Sequence, residues 1–249
     1  MQIDPSAAAA GVGLVTFDTI GSTNAEALQI ARAGARTPQW VVARRQTAGR
    51  GRRGRSWVSE PGNLYASLLL IDPSPMDRAA ELSFVASLAL HDAIAGRVPG
   101  LAARLKLKWP NDLLIDRNKL AGILIEAEGS AVVIGIGVNC IHHPPGTPYP
   151  ATDLAAAGVR ATPESVFMAL SGAMVTRLAQ WDRGAGFDGI RKDWLARAAG
   201  LGRAIRISLP DGERVGHFET IDQAGRLVLR LSDGRLETFA AGDVDLARP

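Results

Sequence analysis

Residues 49–54 read GRGRRG, within the longer stretch TAGRGRRGRSW at positions 47–57. The six letters satisfy G-x-G-x-x-G. They follow a β-branched run, WVVARR at 40–45, and an acidic residue, Asp72, lies about twenty positions on. Taken as a dinucleotide fingerprint, they would make the chain a doubly wound parallel α/β protein. That motif must open a helix whose N-terminus receives the pyrophosphate. Here RSWVSEPGN follows, with Pro61 and Gly62 ahead and no helical period, so the dinucleotide fold is excluded. The phosphate-loop pattern G-x-x-x-x-G-K-[ST] is absent from the sequence. What is left is a glycine-rich cationic loop. Gly49, Gly51 and Gly54 permit close backbone approach. Arg50, Arg52, Arg53 and Arg55 repel one another and offer bidentate donors to a carboxylate or phosphate. Such a loop is expected to be poorly ordered when empty and ordered when an anion is bound. Single-strand nucleic-acid binders interleave aromatics with charge, whereas this loop has only Trp57, at its end.

The totals show why this charge must act locally. The 249 residues are 47% apolar and 21% charged, the balance of a globular protein with a core. The net charge is only +3, yet six arginines fall between Arg44 and Arg55. The single cysteine, Cys140, excludes an intrachain disulfide and a multi-cysteine metal site, and fits a reducing compartment. The first residues, MQIDPSAAAAGVG, carry Asp4 and no basic segment, unlike a secretory signal. Apolar runs such as LYASLLLI and AVVIGIGVNCI are too short to span a bilayer. A soluble cytoplasmic protein is expected.

Outward from the loop, GLVTFDT reads as a strand, and Ser22 or Thr23 can cap a helix from about Asn24 to Gly34. LYASLLLI is a buried strand, and DRAAELSFVASLALHDAIAG a helix ending at Gly96. From 105 to 139 the pattern gives a strand, a bend at Trp109-Pro110, a short strand, a turn at Asp116–Asn118 and two longer strands. HHPPGTPYPATD is an extended loop; adjacent His142 and His143 there are expected to be plain surface residues rather than metal ligands. Two helices follow, 162–183 with Pro163 in its first turn and 187–200. After Gly200, short alternating runs separated by turns at 210–212, 223–225 and 233–234 signal antiparallel hairpins. The expectation is α+β: a mixed-sheet domain over 1–198 and a small β domain over 199–249.

The stretch KWPNDLLIDRNKLAGILIE, 108–126, supplies a second constellation. Asp112 and Lys119 stand seven apart on either side of a turn, so two short strands can bring both to one cleft. Gly122 leaves room for a ligand against the next strand. An exposed Asp–Lys pair would by itself mean little.

Six motifs in order make these stretches specific: STN at 22–24, QTAGRGRRGRSW at 46–57, GNLYASLLL at 62–70, KWPNDLL at 108–114, KLAGILIE at 119–126 and GIGVN at 135–139. Together they resemble the biotin protein ligases, and the C-terminal segment resembles that family's SH3-like β-barrel. The resemblance implies a mixed-sheet catalytic domain of the biotin/lipoate ligase type. It implies a two-step reaction, in which biotin's carboxylate attacks the α-phosphate of ATP to give biotinyl-5′-AMP and pyrophosphate. A carrier lysine then attacks the anhydride and releases AMP. Magnesium is implied as counter-ion to ATP. The implied partner is the biotin carboxyl carrier protein of acetyl-CoA carboxylase or a related carboxylase.

Roles follow by resemblance. Ser22, Thr23, Asn24 and Gln46 line the biotin pocket, and hydroxyls and amides of this kind both donate to and accept from a ureido group. A helix cap is the alternative use for Ser22 and Thr23. Gly49, Arg50, Gly51 and Arg52 form the ligand-ordering segment, and Gly122 and Leu124 form the pocket wall. Arg52 stabilises phosphate charge, and Lys119 bridges the carboxylate and the α-phosphate. Asp112 orients or deprotonates the incoming amine, or positions magnesium. Arg50, Trp57, Gly135, Gly137 and Asn139 face the nucleotide, with core packing the alternative for Trp57. The motifs begin by about residue 12, so no sequence-specific DNA binding is expected, and exposed edge strands leave a homodimer open. The related lipoate ligases and octanoyltransferases are the rival reading; the arginine signature and the C-terminal β domain favour biotin.

Overall fold

A computed structural model of the chain describes residues 1–147 and 149–246. Seven strands form one sheet: β1 (Gly13–Ile20), β2 (Gln39–Gln46), β3 (Leu64–Ile71), β4 (Leu105–Lys108), β5 (Asp112–Ile115), β6 (Asn118–Glu128) and β7 (Ala131–Val138). Their order is β1-β2-β3-β7-β6-β5-β4. Only β1 and β2 run parallel, as a helical crossover requires; the rest are antiparallel, so the sheet is mixed. The helices are α1 (Pro5–Ala9), α2 (Thr23–Arg32), α3 (Leu82–Arg97), α4 (Pro163–Trp181) and α5 (Phe187–Leu195).

Strand periodicity sorts the two faces of the sheet. Val42, Ala66, Leu68, Val132, Ile134 and Ile136 pack into the main core with α3 and α4 residues such as Leu88 and Phe167. Their neighbours Val41, Leu69 and Val133 point the other way and pack with Ala27 of α2. The α2 face also carries Ser67, Gly135 and Gly137, and this alternation places the candidate site there.

Most elements match the sequence reading, and the differences have physical causes. The short α1, capped by Asp4 through a 2.8 Å bond from the Ser6 amide, has too few residues to show a period. The last helix stops at Leu195 rather than Gly200 because the chain leaves it to pair with β4. The Leu107 amide donates to Arg197 O and its carbonyl accepts from the Ala199 amide. The bend at Trp109-Pro110 is a cis peptide bond. The arginine stretch is a tight hairpin: Gly51 N donates to Arg55 O at 2.7 Å and Trp57 N to Gly49 O at 2.9 Å.

The C-terminal segment folds as a five-stranded antiparallel sheet: β8 (Ala204–Leu209), β9 (Gly212–Ile221), β10 (Leu227–Arg230), β11 (Leu236–Phe239) and β12 (Asp243–Leu246), in the order β11-β10-β9-β8-β12. Its turns fall where the sequence places them, with Gly212, Gly225 and Gly234 all at positive φ. The buried Trp109 indole donates to Gly225 O at 3.0 Å, and Phe84 stands edge-on to Phe187 and Trp194. A Cβ at Gly225 would meet Phe84 at 2.7 Å, so the Trp109 and Phe84 rings pack against the turn before β10, each contributing about 2–3 kcal/mol by burial.

Candidate active site

Two rows of residues lie in register across the α2 face of the large sheet. One runs Ser67–Gly135–Leu124, and the next Tyr65–Gly137–Gly122–Asp112. Directly paired residues share a face, and the rows stand about 7 Å apart along the strands. Three glycines thus make an open floor.

A polar cluster closes one end. The N-terminus of α2 is capped by Gln46 of β2: its Oε1 accepts from the Thr23 amide at 2.8 Å and from the Thr23 hydroxyl at 3.0 Å. The Ser22 side chain makes no cap bond, so the cap expected of it is supplied by another strand. The Gln46 amide in turn donates to Ser59 Oγ. Asn24 Nδ2 donates to Glu126 Oε2 at 2.7 Å, and its Oδ1 lies 2.6 Å from Ser67 Oγ. Ser22, Thr23, Asn24 and Ser67 are all buried. A Cβ at Gly135 would meet Asn24 Oδ1 at 2.2 Å, which places Gly135 with this cluster rather than with the other floor glycines.

A charged cluster closes the other end. Asp112 is buried, with Lys119 Nζ at 2.6 Å and Lys108 Nζ at 3.1 Å. Burial opposes ionisation of Asp112, but the two ammonium groups outweigh it and hold the carboxyl below its usual range. Burial lowers the Lys108 ammonium despite Asp112 beside it. Lys108 also donates to Val244 O at 3.3 Å and lies 3.6 Å from the centre of the Tyr149 ring. The Lys119 side chain arches over Gly122, within 3.3 Å of where a Cβ would stand.

Trp57 lies over the floor between the two ends. A Cβ at Gly137 would meet its indole at 2.5 Å and one at Gly122 at 3.0 Å, so both positions need glycine for this approach. The indole N–H is buried and has no hydrogen-bond partner among the described residues. Gly49 has no room for a side chain either: its Cβ would meet Ser59 Oγ and Trp57 O at 2.5 Å.

The arginine hairpin brackets this floor. Arg50 reaches both oxygens of Glu126 at 3.0 and 3.1 Å, and Arg53 and Arg55 meet Asp243 at 3.0 and 2.8 Å. Arg52 donates to Asn111 Oδ1 at 3.1 Å. The repulsion expected among the four arginines is therefore offset by carboxylates far away in sequence. Asn139, just past the end of β7, bonds through its backbone amide to Leu120 O beside Lys119. Its side-chain amide donates to Thr152 O at 3.0 Å, tying the 142–153 loop to the end of β7. His143 pairs with Asp153, and His142 lies against Asn63 and Pro61 O. No group of three metal-ligating side chains converges among the described residues.

Ser67, Glu126, Lys108, Asn111 and Asp243 join the site although the sequence reading gives them no role. A signal existed for Ser67, a hydroxyl inside an otherwise apolar strand. For Lys108 and Asn111 it was the polar composition of the bend itself.

Residues 16–140 match the Biotin/lipoate A/B protein ligase family, and residues 200–247 match the Biotin protein ligase C terminal domain. Fold and site thus define a ligase of the biotin/lipoate class. Within that class, the chain belongs to the biotin protein ligases. It is 46% identical to the biotin–[acetyl-CoA-carboxylase] ligase of Paracoccus denitrificans, over 86% of this chain and 92% of that one. It is 37% identical to the enzyme of the same name from Mycobacterium tuberculosis, over 94% and 90% of the two chains. The solved biotin protein ligase from Aquifex aeolicus in complex with biotin and ATP superposes with a TM-score of 0.81 at 24% identity. That match covers 95% of this chain and 99% of the other and establishes the shared fold.

Proposed function

We propose that this chain activates biotin with ATP to biotinyl-5′-AMP and transfers the biotinyl group to a lysine of a carrier protein, in acetyl-CoA carboxylase or a related carboxylase. The observation that carries this reading is the polarity of one glycine-floored face. Neutral donors and acceptors at the Asn24 end suit a ureido head. The Lys119 ammonium at the other end suits a carboxylate and the phosphate it attacks.

In the first step, the biotin carboxylate oxygen attacks the α-phosphorus and pyrophosphate leaves. The reactants are both anions, and Lys119 is placed to stabilise the charge that gathers as they meet. Arg52 supplies a second cation: its direct partners near the site, Asn111 Oδ1 and Gly242 O, are neutral, so they leave its charge available to phosphate. Trp57 and Gly137 border the nucleotide, and the indole N–H is a donor for a ligand acceptor. Asn139 lends its carboxamide edge to adenine at the far end of β7.

In the second step, the carrier lysine's uncharged amine attacks the acyl carbon, the bond to the phosphate oxygen breaks so that AMP leaves, and the nitrogen releases one proton to solvent as the amide forms. A carboxylate held below its usual range is a weak base, so Asp112 orients the amine rather than deprotonating it. Asp112 Oδ1 makes no hydrogen bond among the described residues, which leaves an acceptor for an uncharged amine, while the two ammonium groups beside the carboxylate oppose a further cation such as magnesium. Magnesium enters as part of the substrate, on the phosphates of ATP. The catalytic unit spans 1–198 and the C-terminal unit 199–249. No described helix is long and apolar enough to cross a membrane, and a cytoplasmic setting fits the single, unpaired cysteine.

The test is ATP–pyrophosphate exchange with biotin, with lipoate as the control acid, followed by transfer to a carrier domain. Exchange with biotin alone supports the reading; exchange with lipoate alone, or with neither, overturns it.

A further inference from the structure

The three consecutive residues Gly242, Asp243 and Val244 of the C-terminal sheet touch both charged parts of the site. Gly242 O accepts from Arg52 Nη1 at 3.4 Å, Val244 O accepts from Lys108, and Asp243 takes Arg53 and Arg55. Each oxygen of Asp243 serves a different arginine: Oδ2 meets Arg53 Nη1 at 3.0 Å and Oδ1 meets Arg55 Nη2 at 2.8 Å. Asp243 is itself held in register as the first residue of β12, opposite Ser208 of β8.

These contacts divide the hairpin's charge. Arg53 and Arg55 share one carboxylate on the side facing the C-terminal sheet. Arg52, between them and the site, has only neutral oxygens as direct hydrogen-bond partners, Asn111 Oδ1 and Gly242 O. Asn111 directly precedes Asp112 in the chain, so this cation is aimed at the reacting end of the floor. The hairpin needs an external anchor to keep that aim. Arg53 lies at φ 55, in the left-handed region, which costs a non-glycine residue on the order of 1–2 kcal/mol. Backbone bonds from Gly51 N to Arg55 O and from Arg55 N to Arg52 O close the turn itself, and Asp243 ties its two outer arginines to the C-terminal sheet.

We propose that Asp243 is a positioning residue for the adenylation step. The C-terminal sheet uses this carboxylate to pin the arginine hairpin so that Arg52 faces the phosphates of ATP. The inference rests on the biotin-ligase reading above and adds to it a specific task for the C-terminal segment.

The experiment is biotin-dependent ATP–pyrophosphate exchange with wild type, Asp243→Asn and Asp243→Glu, alongside thermal melting and limited trypsin digestion. Asp243→Asn is expected to raise the KM for ATP about fivefold, the scale of a well-placed surface ion pair. The KM for biotin and the melting temperature should stay near wild type. Trypsin should cut between Arg50 and Arg55 severalfold faster in that variant, and Asp243→Glu should recover most of both effects. An unchanged KM for ATP in Asp243→Asn, with active wild type, overturns this proposal alone. So does a parallel rise in both KM values with a lowered melting temperature, the mark of a merely structural contact. A wild type that shows no exchange removes the functional reading and this inference with it.

Discussion

Two carboxylates at the charged end of the site each gather two cations, and they do so in different media. Around Asp112 the side chains are enclosed: Asp112 is 9% exposed, Lys108 8% and Lys119 27%. Around Asp243 they are half in water, with Asp243 and Arg53 at 38% and Arg55 at 55%. Charge in the first cluster is costly to desolvate and costly to leave unpaired. Charge in the second is screened and exchanges partners cheaply. A fixed group that must meet a developing charge belongs in the first medium, and a cover that must let ligands in and out belongs in the second. The chain has both, joined by Gly242–Val244, which contacts Arg52 and Lys108.

The largest effect should come from breaking the enclosed cluster on its substrate side. Lys119→Ala is expected to lower biotin-dependent pyrophosphate exchange about 100- to 1,000-fold, the scale of a lost transition-state donor. The protein should stay folded, because Asp112 keeps Lys108 at 3.1 Å. Near-normal exchange in that variant would remove Lys119 from the chemistry.

Next comes the carboxylate itself. Asp112→Asn leaves two ammonium groups facing a neutral amide, and should cost about 3–5 kcal/mol in urea unfolding. The pH dependence has a definite sign. Asp112 has a folded value below 3.8, so its stabilising contribution is complete above that and fades as the pH falls through the folded value. The gap between wild type and variant should therefore narrow below about pH 4. A gap that stays constant into acid would mean that the lysines do not govern this carboxyl.

How much of this was legible beforehand divides along the same line. The enclosed cluster is local in sequence: Lys108, Asp112 and Lys119 fall on the three consecutive strands β4, β5 and β6, and short turns bring them together. The mixed sheet and the C-terminal hairpins were legible too, because apolar alternation and glycine turns are local signals. The half-exposed cluster was not. Arg53 and Asp243 are 190 positions apart and Arg50 and Glu126 are 76 apart, and no periodicity connects such pairs. Read alone, the arginines looked uncompensated, and the loop looked irregular instead of forming a hairpin. The cap of α2 was misread for the same reason: Ser22 has the right residue type, yet Gln46, 23 positions from Thr23, supplies the acceptor. The approach of Asn24 to Gly135 was not legible either, since the two are 111 positions apart and meet only through the fold.

Salt sharpens the contrast at a smaller scale. Raising ionic strength from roughly 0.05 to 0.5 M shortens the Debye length severalfold and weakens exposed pairs. Tryptic cutting at the hairpin arginines should rise a few-fold over that range, while the urea midpoint of the Lys108–Asp112–Lys119 region changes little. Equal sensitivity in both would erase the distinction between the two media.

The smallest effect asks whether opening the hairpin also opens the interior. Cys140 lies two residues past β7, the strand that carries Gly135 and Gly137, and its thiol is fully buried. Burial pushes it up to about 12, so almost no thiolate exists at pH 8. Alkylation by iodoacetamide at that pH should be negligible in native protein and complete in denaturant. If the two media are independent, high salt or Asp243→Asn should leave that protection unchanged even as tryptic cutting rises. If protection fell in step with hairpin opening, the floor and its cover would be one cooperative unit. The division of labour between a rigid enclosed cluster and a loose exposed one would then fail.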